Sequence, residues 1–63
     1  MGIMEIIAGE LYEHYSGKIY RVVTLATAES DGKVMVVYRS ETDPNLVYVR
    51  PHTQFMQKYT RVV

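Results

Sequence analysis

TLATAESDGKVMVVYR, residues 24–39, decides the fold. Two runs rich in Thr, Val, Leu and Met flank Asp31-Gly32. An Asp-Gly pair suits the two-residue type I′ turn of a β-hairpin, whose central residues both take positive φ. That turn sets Ser30 against Lys33, Thr27 against Val36, Leu25 against Tyr38 and Thr24 against Arg39. Side chains alternate strictly along a strand, so the turn also assigns faces. Ile19, Val23, Leu25, Thr27, Val34, Val36 and Tyr38 fall on one side, a mostly aliphatic layer and the expected core. Tyr20, Val22, Thr24, Ala26, Met35, Val37 and Arg39 fall on the other.

Outward from this hairpin, TDPN at 42–45 reads as a type I turn, with Asp43 first and Pro44 second. For any loop of even length, Val47 and Val49 join the aliphatic side, while Tyr48 and Arg50 join Tyr20 and Arg39. YSGK at 15–18 is either a two-residue loop or a type I turn with Gly17 in a bulge. Those readings differ by one residue and leave Tyr12 and His14 without a face. Pro51 suits the start of a helical turn through TQFMQKY. Phe55 and Tyr59, on one side of that turn, are expected to close the bottom of a small barrel.

Short Val-, Ile-, Tyr- and Thr-rich segments between such turns make an all-β meander. The second side also carries Val22, Met35 and Val37, and strands apolar on both sides fit a curled sheet or barrel. The expected fold is therefore a small SH3-like curled sheet or barrel. It has four to five antiparallel strands, a short helical turn after Pro51, and one domain over residues 1–63.

A 63-residue chain hides only about 60% of its unfolded surface. Chains of this size commonly add disulfides, a metal or oligomerisation. With 0 cysteines, disulfides and thiolate metal sites are excluded, and His14 and His52 fall short of a four-ligand zinc site. A homo-oligomer is the support left open. Seven basic residues balance seven acidic ones, without the basic excess of a nucleic-acid binder. No apolar run reaches the roughly 20 residues of a membrane span. The start MGIMEIIAGE lacks the basic n-region of a signal peptide, and Ile6 stands where myristoylation expects Ser or Thr. A soluble, cytoplasmic protein is expected.

Tyr20, Arg39, Tyr48 and Arg50 form the sharpest constellation, with Arg39 beside Tyr48. A guanidinium fork matches phosphate or carboxylate and stacks on aromatic rings, and interleaved aromatics suit a nucleobase. The plainer reading is a cross-strand cation–π and salt-bridge ladder involving Glu41. His14 joins the candidate ligand-binding set, although an ordinary surface histidine is the commoner use of such a residue. Acidic residues gather near the N-terminus (Glu5, Glu10, Glu13) and at the turns (Glu29, Asp31, Glu41, Asp43), where they serve turn chemistry. No Gly-x-Ser-x-Gly elbow surrounds Ser16, Ser30 or Ser40, and no glycine-rich phosphate loop is present. The chain reads as a non-enzyme without cofactor or metal.

HYSGKIY at 14–20, VVYR at 36–39 and VRPHTQF at 49–55 carry a resemblance over about residues 11–59. The chain resembles the family called domain of unknown function 1653, short proteins of bacteria and their phages. Its pattern runs His-Tyr-x-Gly-x-x-Tyr, Val-Val-Tyr-Arg, then Val-Arg-Pro-x-x-x-Phe. The matching positions are His14, Tyr15, Gly17, Tyr20, Tyr38, Arg39, Arg50, Pro51 and Phe55. Tyr48 stands where the family often has Trp, and Ala28-Glu29-Ser30-Asp31 replaces a His-Ser-Glu-Thr run. The resemblance implies a compact β fold and no established activity. The function expected is a binding module for an anionic, nucleotide-like small molecule or an acidic protein surface, through Tyr20, Arg39, Tyr48, Arg50 and His14. The alternative is an assembly module that buries Tyr48, Met35 and Val37 between subunits.

Overall fold

The computed structural model describes residues 6–62; the Met1-Gly2 start and Glu5 lie outside them. The chain runs β1 (Leu11–His14), β2 (Ile19–Thr27), β3 (Val34–Ser40), β4 (Val47–Pro51), α1 (His52–Lys58) and β5 (Tyr59–Arg61). The strands form one antiparallel sheet in the order β4-β3-β2-β1-β5. The five-stranded architecture and the short helix after Pro51 are as expected. The barrel alternative is not realised, because β4 and β5 remain the two edges of an open sheet. The sheet is nevertheless curled. Tyr38 on β3 and Tyr59 on β5 lie three strand steps apart, about 14 Å in a flat sheet. Their ring centroids are only 5.2 Å apart.

The β2–β3 hairpin differs from the expected one. Ala28, not Ser30, closes the loop, its N–H donating to the Lys33 carbonyl at 2.8 Å, and Thr27 pairs with Val34 rather than Val36. Gly32 takes a φ of 73°, and among the described residues only glycines have positive φ. In the longer loop Gly32 alone takes the positive φ, and Asp31 stays in the ordinary region. The Gly32 N–H donates to the Ala28 carbonyl, and the Asp31 carboxylate accepts from the Lys33 N–H at 3.1 Å. The pairing slips by two residues, which leaves faces unchanged. Leu25 and Thr27 still share a side with Val34 and Val36.

Two other features overturn the expected faces. The β2–β3 register shifts between Val22 and Thr24, so Val23 is the extra residue of a β-bulge. Beyond it Val22 pairs with Tyr38 and Tyr20 with Ser40, bringing both onto the side of Val36. The β3–β4 loop is the second. Asp43 and Leu46 close the expected turn around Pro44 with a 2.9 Å bond, but that turn sits inside a larger loop closed by the Ser40 N–H and the Leu46 carbonyl at 3.0 Å. The residues between, Glu41 to Asn45, are odd in number. Tyr48 therefore stands opposite Tyr38, and Arg50 opposite Val36. Val47 and Val49 turn to the other surface and are 56% and 60% exposed. Of the layer expected as the core only Val36 and Tyr38 belong to it; Val23, Leu25, Val34, Val47 and Val49 are exposed.

The core is aromatic instead. At the β1–β2 reversal the Gly17 N–H donates to the His14 carbonyl and Gly17 has a φ of 96°, which is the bulged form of the turn. It sets Tyr12 opposite Tyr20 and His14 opposite Tyr59, all on the side of Tyr38. Helix α1 lays Phe55 over this surface. Phe55 stacks on Tyr59 at 4.2 Å, nearly parallel, and meets Tyr12 and Tyr38 edge-on, each at 5.1 Å. Such pairs add about 0.5–1.5 kcal/mol each beyond burial. Ile6, Val22 and Val36 complete the cluster. Phe55 and Tyr59 thus close the core as expected, over an open sheet.

Candidate functional site

The helix-side face carries a polar seam between its rings. The Tyr59 hydroxyl donates to the Tyr38 hydroxyl at 3.0 Å, and Arg50 Nε approaches the same oxygen at 3.4 Å. Burial pushes the Tyr59 phenol well above its ordinary pKa, helped by the bond to Tyr38. The bond to Tyr38 also raises Arg50. Arg21 and Arg61 have carboxylate partners, Glu41 at 2.9 Å and Glu10 at 2.6 Å. Among the described residues Arg50 has none within ion-pair distance. A guanidinium held by one long bond to a phenol keeps its remaining N–H donors available.

His14 sits at the edge of this seam, its ring 4.9 Å from Tyr59, 6.5 Å from Tyr20 and 4.2 Å from Tyr15. Its Nδ1 accepts the Ser16 N–H at 3.1 Å and contacts the Ser16 hydroxyl at 2.8 Å. An acceptor Nδ1 places the proton of the neutral ring on Nε2. The histidine braces the β1–β2 turn, while Lys58 at the end of α1 lies over Tyr15, 5.5 Å from its centroid.

A cleft of about 620 Å³ opens beside the seam between the β1–β2 and β3–β4 loops. Tyr20 and Tyr48 line it, their rings 6.0 Å apart and inclined by 75°, with Lys18, Ser40, Glu41, Thr42 and Asp43 around them. The Glu41 carboxylate is occupied by Arg21, which grips both of its oxygens at 3.0 and 2.9 Å. That contact holds Glu41 below the usual carboxylate pKa.

The family model for "Protein of unknown function (DUF1653)" matches residues 10–62, nearly the whole chain. The chain belongs to the DUF1653 family. No curated protein and no solved structure matches it.

In this DUF1653 chain the structure gathers His14, Tyr20, Tyr48 and Arg50 on one face. Arg39 is the exception. It pairs with Val47 on β4 and Arg21 on β2, on the opposite surface, so the expected grouping of both arginines with Tyr20 and Tyr48 does not form. The odd β3–β4 loop separates Arg39 from Tyr48 and Arg50, and the bulge at Val23 separates it from Tyr20. The same loop separates Tyr48 from Met35 and Val37, which lie on the opposite surface and share no patch with it. Among the described residues the anticipated ladder of Arg39 and Arg50 with Glu41 does not form, because Glu41 pairs with Arg21 instead. Arg21, Lys18 and the Tyr38–Tyr59 hydroxyl pair escape sequence reasoning because a bulge and a loop count decide their faces. The spacing of Phe55 and Tyr59 was the available signal for Tyr59. Among the described residues no three metal-ligating side chains converge, and no helix is long and apolar enough to cross a membrane.

Proposed function

We propose that the chain is a non-catalytic binding module whose helix-side face holds an anionic, nucleotide-like molecule. The observation that supports this most is Arg50, a half-buried residue whose guanidinium has no carboxylate partner among the described residues, two residues along β4 from a cleft wall. Tyr20 and Tyr48 offer ring surfaces to a planar group, and a stacked base contributes about 1–3 kcal/mol. Arg50 presents a fork to phosphate or carboxylate. Lys18 adds positive charge at the loop end, and Ser40 and Thr42 add hydroxyl donors. Asp43 disfavours an anion beside it, so the charged group belongs on the Arg50 side of Tyr48. A cytoplasmic setting accords with such a ligand.

The test is an amide chemical-shift titration of wild type and Arg50→Gln with AMP, adenosine and inorganic phosphate. AMP should shift Tyr20, Tyr48 and Arg50 and bind at least tenfold more weakly to the variant. Adenosine should perturb the tyrosines alone. Identical affinity in both proteins, or shifts confined to the opposite surface, would remove the proposal. An acidic protein surface as partner would appear as binding without any response to AMP.

A further inference from the structure

Among the described residues strand β4 is an unpaired edge of the sheet. The bond from Ser40 to the Leu46 carbonyl fixes which way its backbone points. With the register Tyr38 to Tyr48 and Val36 to Arg50, Leu46, Tyr48 and Arg50 turn their backbone groups toward β3. Val47 and Val49 turn theirs outward, since hydrogen-bonded and non-hydrogen-bonded pairs alternate. Pro51 falls in the outward series, the position where a missing N–H leaves the β3 ladder intact. Exposed edges are usually blunted by charge or brevity. The opposite edge, β5, is only three residues long and ends on Arg61. By contrast β4 presents two outward valines, both more than half exposed.

We infer that β4 pairs antiparallel with β4 of a second copy, about a two-fold axis at Val49. The facing side chains match at every pair, and in the backbone only the Val47 carbonyls, each facing the N–H-less Pro51 at an end of the ladder, are left to water. Val49 stands opposite Val49 and exchanges both backbone bonds with it. Each Val47 N–H meets the Pro51 carbonyl of the second copy, and the prolines lie at the ends of the ladder. On the helix side, Arg50 of each copy stands opposite Tyr48 of the other, a cation facing a ring rather than a second cation. On the other surface the valines continue a row with Val37 and Met35, the half-exposed neighbours on β3. The chain carries a net charge of +0, so no overall repulsion opposes the pairing. A domain this small, without disulfides, also gains a continuous core-side sheet across the junction. The dimer sets the second copy's Arg50 beside the Tyr48 wall of the cleft, yet it holds whether or not the cleft takes a nucleotide.

Sedimentation equilibrium of wild type and Val49→Lys, with hydrogen exchange at Val47 and Val49 in wild type, tests it. The expected result is twice the chain mass for wild type, protection of both amides that grows with protein concentration, and loss of the dimer in the variant. A monomeric wild type at every attainable concentration overturns the inference. So does a dimer whose Val47 and Val49 amides exchange freely. Because exchange is read on wild type, a variant that fails to fold leaves the test intact. Assembly is read without ligand, so its failure is distinct from a failure to bind AMP.

Discussion

Tyr12→Phe and Tyr59→Phe each delete one oxygen from the core, and the structure predicts opposite signs. The Tyr12 side chain is fully buried, and its hydroxyl has no hydrogen-bond partner among the described residues. A buried unsatisfied polar group costs about 1–3 kcal/mol relative to water. The ring keeps its edge-on contact with Phe55 in the variant, so the deletion should stabilise the fold by about 1 kcal/mol. In a domain of this size that raises Tm by about 4–8 °C. The Tyr59 hydroxyl instead donates to Tyr38 at 3.0 Å. Its removal forfeits about 0.5–1.5 kcal/mol and leaves the Tyr38 oxygen with only the long Arg50 contact. Tm should then fall by a similar amount. Thermal melting by circular dichroism, with urea midpoints as a check, reads both. A Tyr12→Phe protein less stable than wild type would refute the reasoning, since the hydroxyl would then have a partner.

Other expectations follow from the same contacts. Burial raises the phenols of Tyr12, Tyr20 and Tyr59 above their ordinary value near 10. Below that value each is neutral folded and unfolded; above it the unfolded chain loses protons first, so stability should fall as pH rises past 10. Urea midpoints at pH 9 and 11, with ultraviolet titration of the phenols, check this, and no fall would contradict it. Gly32→Ala meets open space, so its cost is backbone strain alone, about 1 kcal/mol, seen as a lower urea midpoint. Phe55→Ala should cost about 3–5 kcal/mol, enough to unfold most of the chain, seen as loss of near-ultraviolet dichroism.

The number of strands, the positions of the reversals and the helical turn after Pro51 are legible in the sequence, because Gly, Pro and Asp place turns by local chemistry. Faces are less so. The Asp31-Gly32 error is harmless, since a slip of two residues preserves parity. Val23 looks like any strand residue, and nothing local marks it as the extra one in a bulge. TDPN names its turn but not the loop that contains it, and one residue more or less there sends Arg50 to either surface. That is why four of the five expected site residues lie together and Arg39 does not. The core was legible at Val36, Tyr38, Phe55 and Tyr59. It was misread at Val47 and Val49, where β-propensity says nothing of which side is covered.

The helix-side placement of Arg50 and Tyr48, on which the binding proposal depends, is tested most directly by cross-strand Hα–Hα contacts in a NOESY spectrum. In antiparallel sheets these mark the close, non-hydrogen-bonded pairs. Contacts from Arg39 to Val47 and from Val37 to Val49, with ring contacts between Tyr48 and Tyr20, are predicted. An Hα contact from Arg39 to Tyr48 would place both arginines on one surface and contradict it.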